Sequence, residues 1–156
     1  MLFRSSFDAS EKIINSYKDD RIRYVKNEVN MNLCRSLAKG VMLSRGEFIA
    51  RMDADDISYS DRLEKQLSVM KARPELNLLG ANVRWINQNN KVIGNPQCIS
   101  DPVDLRWNMF FRNCFNHPTV MIRKSALLNN GLNYGAIPEG AEIFLPEKLK
   151  IGRAHV

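Results

Sequence analysis

Three carboxylates stand within four residues at Asp53-Ala54-Asp55-Asp56, directly after Phe48-Ile49-Ala50-Arg51-Met52. Carboxylates packed this closely repel one another, so the cluster needs either a solvated turn or a compensating cation. Hard oxygen ligands suit Mg²⁺ or Mn²⁺, which are held by one or two carboxylates together with substrate phosphates. The apolar run ahead of the acids reads as a short buried strand. In open α/β sheets ligands collect outside the carboxyl ends of strands, where these acids would sit. An acidic turn capping the following helix is the plainer alternative, since Asp is a common turn former. The stretch alone leaves both readings open.

The elements that must position the loop flank it on both sides. Asp8 with Glu11 has the spacing of a capping box, so a helix is expected there with Ile13, Ile14 and Tyr17 on its apolar face. Arg21 to Lys26 alternates polar and apolar, as a strand does. Asn30 and Asn32 can turn the chain and cap a second helix, whose Leu33, Leu37 and Val41 form a core stripe. Arg45-Gly46 is expected to close that helix with glycine at positive φ. Beyond the acids, Asp61 with Glu64 repeats the capping-box spacing, and Leu63, Leu67 and Met70 line a helix ending near Pro74. Arg62 and Gln66 share one face of that helix. Leu78 to Ile86 reads as a buried strand, Asn87 to Asn90 as a turn, and Lys91 to Gly94 as the returning arm of a hairpin. A helix from Pro102 to about Phe111, a strand from Thr119 to Ile122 after Asn116-His117-Pro118, and a short helix from Lys124 to Gly131 complete the pattern. Strands alternating with helices predict an α/β fold built on a mostly parallel sheet.

At 156 residues, with 44% hydrophobic and 26% charged side chains, the chain suits one globular core. No apolar run reaches the roughly 18 residues of a membrane span, and the first residues lack the apolar stretch of a secretory signal. Cys34, Cys98 and Cys114 are odd in number and widely spaced, which suits reduced thiols in a cytoplasmic compartment. The net charge of +6 suits phosphorylated substrates, an anionic membrane surface or nucleic acid. The basic residues are scattered without aromatic interleaving, which argues against nucleic acid.

Asn30-x-Asn32, Ala38-Lys39-Gly40, Gly46-Glu47-Phe48-Ile49-Ala50, Asp53-Ala54-Asp55-Asp56 and Arg62-Leu63-x-Lys65-Gln66 occur in that order. Together they resemble the nucleotide-sugar domain of family 2 glycosyltransferases of the GT-A type. Asn116 to Ser125 is similar to a segment of bacterial members. The resemblance implies a partial family domain over residues 8–142, a Rossmann-like α/β sheet, and inverting sugar transfer from a UDP-sugar or other nucleotide-diphosphate sugar. It implies a Mn²⁺ or Mg²⁺ ion on Asp53 and Asp55, with Asp53, Asp55, Asp56, Asn32 and Arg51 on the donor side. Arg62 becomes a candidate for positioning the acidic loop by a bidentate contact, against the reading of Arg62 and Gln66 as a solvated edge. His117, before a proline, reads as a turn residue or as a phosphate or metal contact. A glycan or lipid-linked acceptor and peripheral membrane association at the inner face follow from the same resemblance, while the cluster Asp53 to Asp56 adds to the case against a nucleic-acid partner.

Both ends depart from the family pattern. Asp8 matches the last acid of a nucleobase-contacting loop, but its preceding aspartates and the first strand have no counterpart in residues 1–7. Ala141-Glu142 matches the start of the acceptor-side acidic pair, whose Asp is the expected base, but Ile143 stands in its place. Glu142 is left as the candidate base. A shifted reading frame after Glu142 would produce this change, and Ile151 to Val156 matches a translated sequencing adapter, so residues 143–156 are expected to be an aberrant tail that is not native. A non-catalytic nucleotide- or metal-binding fragment of such an enzyme is the alternative function.

Overall fold

The computed structural model describes residues 2–3, 9–96, 99, 101–111, 113–129 and 151–154. The described residues up to Arg45 form one compact unit and those from Gly46 onward form another. Both mix helix and strand, as the sequence predicts.

The first unit holds β1 (Leu2–Phe3), α1 (Ser10–Ser16), β2 (Val25–Lys26) and α2 (Asn32–Leu43). β1 and β2 pair in parallel, with Leu2 opposite Val25. The strand expected from Arg21 forms only at its end. Asp19 draws the chain into a turn, accepting from the Arg21 backbone N–H and Nε at 2.9 Å each. α1 starts without a side-chain cap; Asp8 lies outside the described residues, and Glu11 pairs with Lys26 at 2.6 Å instead of closing a capping box. Asn32 opens α2 at a φ of 58°, a left-handed conformation that Asn tolerates better than most residues. Its Oδ1 accepts the Arg35 N–H at 3.1 Å, which is the capping role expected of it. Val41 of the expected stripe is buried, whereas Leu33 keeps more than a third of its surface exposed. α2 ends at Ser44, whose extended backbone still lets its N–H reach the Gly40 and Val41 carbonyls. Gly46 therefore has no left-handed turn to make, contrary to expectation.

The second unit holds β3 (Phe48–Ala50), α3 (Arg62–Ala72), β4 (Leu78–Ala81), β5 (Trp85–Ile86), β6 (Val92–Gly94), α4 (Pro102–Met109), a 3-10 turn (His117–Thr119), β7 (Met121–Arg123), α5 (Lys124–Asn129) and β8 (Ile151–Ala154). Its main sheet runs β3-β7-β4-β8. β7 is antiparallel to both β3 and β4, while β4 and β8 are parallel. Among the described residues β3, β4 and β8 thus share one direction, yet β7 lies between β3 and β4 and makes both of its pairings antiparallel. The sheet is mostly parallel in strand direction but not in its neighbour pairings. β7 starts at Met121, later than expected, because His117-Pro118-Thr119 coils into the 3-10 turn.

Met70, Leu76, Leu79 and Met121 form a buried cluster, with Phe48, Leu67 and Val69 packed against it. α3 has no side-chain cap: Asp61, expected in a capping box with Glu64, pairs with Lys65 at 2.9 Å. The face it buries is Arg62, Gln66 and Met70, at i, i+4 and i+8, while Leu63 is half exposed. Arg123 ties the sheet to the chain ahead of β3. Its Cζ lies 4.8 Å over the Phe48 ring, and Nη1 meets Glu47 Oε1 at 2.7 Å. β5 and β6 form the expected hairpin, with Trp85 opposite Gly94. Asn87 Oδ1 accepts from Asn89 and Lys91 N–H at 3.0 Å, and Asn90 turns through a φ of 57°. α4 is capped by Asp101, which accepts from Val103 and Asp104 N–H at 2.9 Å.

Residues 151–154 lie beside β4, with Leu78 opposite Ile151 and Ala81 opposite Ala154. Pairing along a strand edge uses backbone groups that every non-proline residue carries, so an apolar edge such as Leu78–Ala81 accepts any strand-competent segment within reach.

Candidate functional site

β3 delivers the chain to the acidic loop. Arg51 is the first residue past the strand, and its backbone N–H donates to the Val120 carbonyl at 2.9 Å. This pairing continues the β3–β7 ladder one residue further and sets the loop against the His117–Thr119 turn. The Asp56 N–H then closes a turn on the Asp53 carbonyl at 3.4 Å.

α3 locks this arrangement from below. Arg62 is 8% exposed. Its Nη2 donates to the Arg51 carbonyl at 3.1 Å and its Nη1 to the Pro118 carbonyl at 3.0 Å. One turn along, Gln66 is fully buried, and its Nε2 donates to the Thr119 carbonyl at 2.8 Å. The Thr119 hydroxyl accepts from the Ala81 N–H at 3.0 Å and donates to the Asn116 carbonyl at 2.8 Å. A glycine precedes Ala81 because the Phe115 ring packs on it: a Cβ on Gly80 would lie 2.8 Å from Phe115 Cδ1. The solvated-edge reading of Arg62 and Gln66 is therefore overturned. Arg62 does position the acidic loop, but by a fork on two backbone carbonyls and not on a carboxylate. Gln66 and Thr119 were missed as site supports. The available signal was the i, i+4, i+8 spacing that puts Arg62 and Gln66 on the same face as Met70.

Of the candidate donor residues, Arg51, Asp53, Asp55 and Asp56 come together on this loop. Arg51 is buried and its Nη2 donates to Asp53 Oδ1 at 2.6 Å. Asp55 and Asp56 are exposed and Asp53 is partly so. Asp56 has its carboxyl pushed above the ordinary 3.8, by loss of hydration and then by the charges of Asp55 and Asp53, with Arg51 and Arg62 offsetting in part. His117 is pushed below the ordinary 6.5, first by burial and then by the Arg51 charge, against the pull of Asp53. His117 therefore stands within the electrostatic reach of the loop. Asn32 belongs to the first unit, where it caps α2. In that unit Asn27, buried beside α2, donates to Ser36 Oγ at 2.9 Å and accepts from Lys39 Nζ at 3.1 Å. Glu142 lies outside the described residues. Among the described residues, no three His, Cys, Asp or Glu side chains converge as a closed metal-ligand set.

The second unit is thus an α/β sheet with an acid-rich loop at a strand's carboxyl end, braced by a buried Arg. The family model for glycosyl transferase family 2 matches residues 4–127, and the chain belongs to that family. An uncharacterised glycosyltransferase of Methanocaldococcus jannaschii is 34% identical over 76% of this chain and 42% of its own length. The O-antigen biosynthesis glycosyltransferase WbnJ of Escherichia coli is 35% identical over 70% of this chain and 42% of its own. The chain thus spans about two fifths of these relatives. The crystal structure of S. aureus TarS 1–349 in complex with UDP-GlcNAc superposes with a TM-score of 0.68 over 85% of this chain and 38% of that one, at 16% identity. The shared fold is GT-A.

Proposed function

We propose that this chain carries the donor half of a glycosyltransferase that moves a sugar from a nucleotide-diphosphate donor to a cell-surface glycan or lipid-linked acceptor, with inversion at the transferred carbon. The observation that carries the reading is the loop Asp53–Asp56 held at the carboxyl end of β3 by the Arg62 fork. The UDP-GlcNAc of the TarS complex and the O-antigen role of WbnJ support a nucleotide-sugar donor and a polysaccharide product.

The loop fits a divalent cation. Its carboxylates are hard donors; Asp56 is raised first by loss of hydration and then by the charges of Asp55 and Asp53, and a bound cation would offset that second part. A Mg²⁺ or Mn²⁺ site needs only one or two protein carboxylates when phosphates complete it, so Asp53 and Asp55 would hold the ion, with Asp56 beside them. The ion, when bound, supplies positive charge against the departing diphosphate. The residues of this chain do the rest. Arg62 fixes the loop, Arg51 stands against Asp53, and the resemblance implies a donor-side role for Asn32. Glu142 is proposed as the acceptor-side base, a step worth roughly 10²–10⁴-fold.

On this reading the enzyme works in the cytoplasm, at the inner face of a membrane where lipid-linked acceptors stand. No helix among the described residues is long and apolar enough to cross a membrane. A second reading, a nucleotide- and metal-binding piece without turnover, is favoured by Ile143 standing where the family carries its base.

Calorimetric titration of Mn²⁺ and UDP into the purified chain, beside Asp55→Ala, tests the donor site. Metal-dependent UDP binding that the variant loses is expected. A folded chain that binds no UDP with Mn²⁺ present would refute both readings. UDP binding with no sugar transfer from any donor would favour the second.

A further inference from the structure

Arg51 has 9% of its side chain exposed to solvent. Its Nη2 is committed to Asp53 Oδ1, while its Nε and Nη1 are buried and have no hydrogen-bond partner among the described residues. A guanidinium carries five donors in a planar fork and cannot discharge by losing a proton. Buried donors left unmade are costly unless an acceptor arrives. The backbone beneath the side chain is pinned from two sides, by the Val120 carbonyl and by Arg62. Nη2 is therefore held beside the acidic loop, with Nε and Nη1 buried and unpaired behind it. Fork geometry of this kind matches a phosphate better than any single carboxylate oxygen.

Asp53 has two incompatible duties. It is the partner of Arg51, and it is one of the carboxylates placed to hold a cation. An oxygen that accepts from a guanidinium at 2.6 Å is a poorer cation ligand, and the guanidinium charge itself repels the ion.

We propose that the Arg51–Asp53 ion pair is a placeholder that the donor exchanges: the nucleoside diphosphate takes the Arg51 fork, and Asp53 passes to the cation. The exchange rests on the donor-site reading above and adds to it a coupling between two ligands. Cation alone must compete with Arg51 for Asp53, and diphosphate alone must separate Arg51 from Asp53 without compensation for the carboxylate. Each ligand removes the obstacle to the other, and by linkage the gain is the same in both directions.

The test is a binding cycle of Mn²⁺ and UDP, with free Mn²⁺ followed by electron paramagnetic resonance and corrected for Mn²⁺–UDP association in solution. In the wild-type chain UDP should tighten Mn²⁺ binding by about fivefold or more beyond that correction, within the usual range of coupling between sites. Arg51→Met should bind Mn²⁺ alone about fivefold more tightly and UDP with Mn²⁺ about tenfold more weakly, so that the coupling shrinks. Arg51→Lys keeps the charge without the fork, and should bind Mn²⁺ as the wild type does but UDP more weakly.

The inference is overturned if wild-type coupling is absent, a measurement that needs no variant. It is also overturned if folded Arg51→Met gains no Mn²⁺ affinity, or if Arg51→Lys matches the wild type toward both ligands. A wild-type chain that binds no UDP at all removes the donor site itself. A chain that binds both ligands with no dependence on Arg51 keeps the donor site and removes the exchange.

Discussion

His117 and Asp56 feel overlapping sets of charges with opposite consequences. Burial and the Arg51 charge hold the imidazole below 6.5, so the folded chain binds fewer protons there than the unfolded chain. The stability it contributes is present above the unfolded value and is lost as pH falls through that value toward the folded one. Asp56, though exposed, is raised above 3.8 by partial loss of hydration and by its acidic neighbours, so its charge burdens the folded state above the folded value, and acid relieves that burden. As pH falls below about 7.5 the His117 contribution drops away, because the unfolded chain takes up a proton that the folded chain resists. His117→Gln should therefore flatten the fall in Tm over that range, while Asp56→Asn should leave its slope unchanged and raise the neutral-pH Tm. Melting curves at several pH values check this, and an unchanged slope in His117→Gln would contradict it. At this scale the carboxylates were legible, since three acids in four positions stand out in any sequence. The burial of Arg51 was not legible, because an Arg before an acidic loop looks solvent-facing in sequence.

Elements were legible where one local force dominates. The hairpin around Asn87 follows from turn chemistry, and α4 starts where Asp101 caps it. Expectations failed where two local forces compete. Asp61 could cap α3 or pair with Lys65, and the structure shows the pair. Glu11 likewise takes Lys26. The polar buried face of α3 was not legible from apolar periodicity, because Arg62 and Gln66 are buried for the carbonyls they satisfy. Their partners lie 53 to 56 residues away in sequence for Gln66–Thr119 and Arg62–Pro118, and nothing local announces them. Thr119 is the hinge of that network. Thr119→Val keeps the shape but leaves the buried Ala81 N–H without its acceptor, which costs about 1–3 kcal/mol. Urea denaturation should show that loss with an unchanged slope. Mn²⁺–UDP affinity should fall as well, because the turn that faces Arg51 loosens with it. A Thr119→Val chain of wild-type stability would mean that the Ala81–Thr119 contact holds nothing in place.

For the molecule as a whole, the class and family were legible because the ordered motifs span most of residues 4–127. The destination of the last residues was not legible. They carry no family pattern, yet residues 151–154 complete the second unit's sheet along β4. Leu78, Leu79 and Ala81 are all buried in this arrangement. Without β8 the outer edge of β4 presents unpaired N–H and C=O groups on an apolar strand, the kind of edge that recruits other chains. A chain ending at residue 150 should thus lose about 1–3 kcal/mol of stability, the net worth of a few backbone hydrogen bonds. It should also scatter light at lower temperature as the bare edge pairs between molecules. Replacing 151–154 by an unrelated strand-forming sequence should restore both properties, since the pairing is made through backbone groups. Denaturation and light scattering on the three chains separate the cases. Equal stability of the full-length and shortened chains would show that β4 gains nothing from its partner. Rescue by the original residues alone would show that their side chains, and not just their backbone, are specified by the fold.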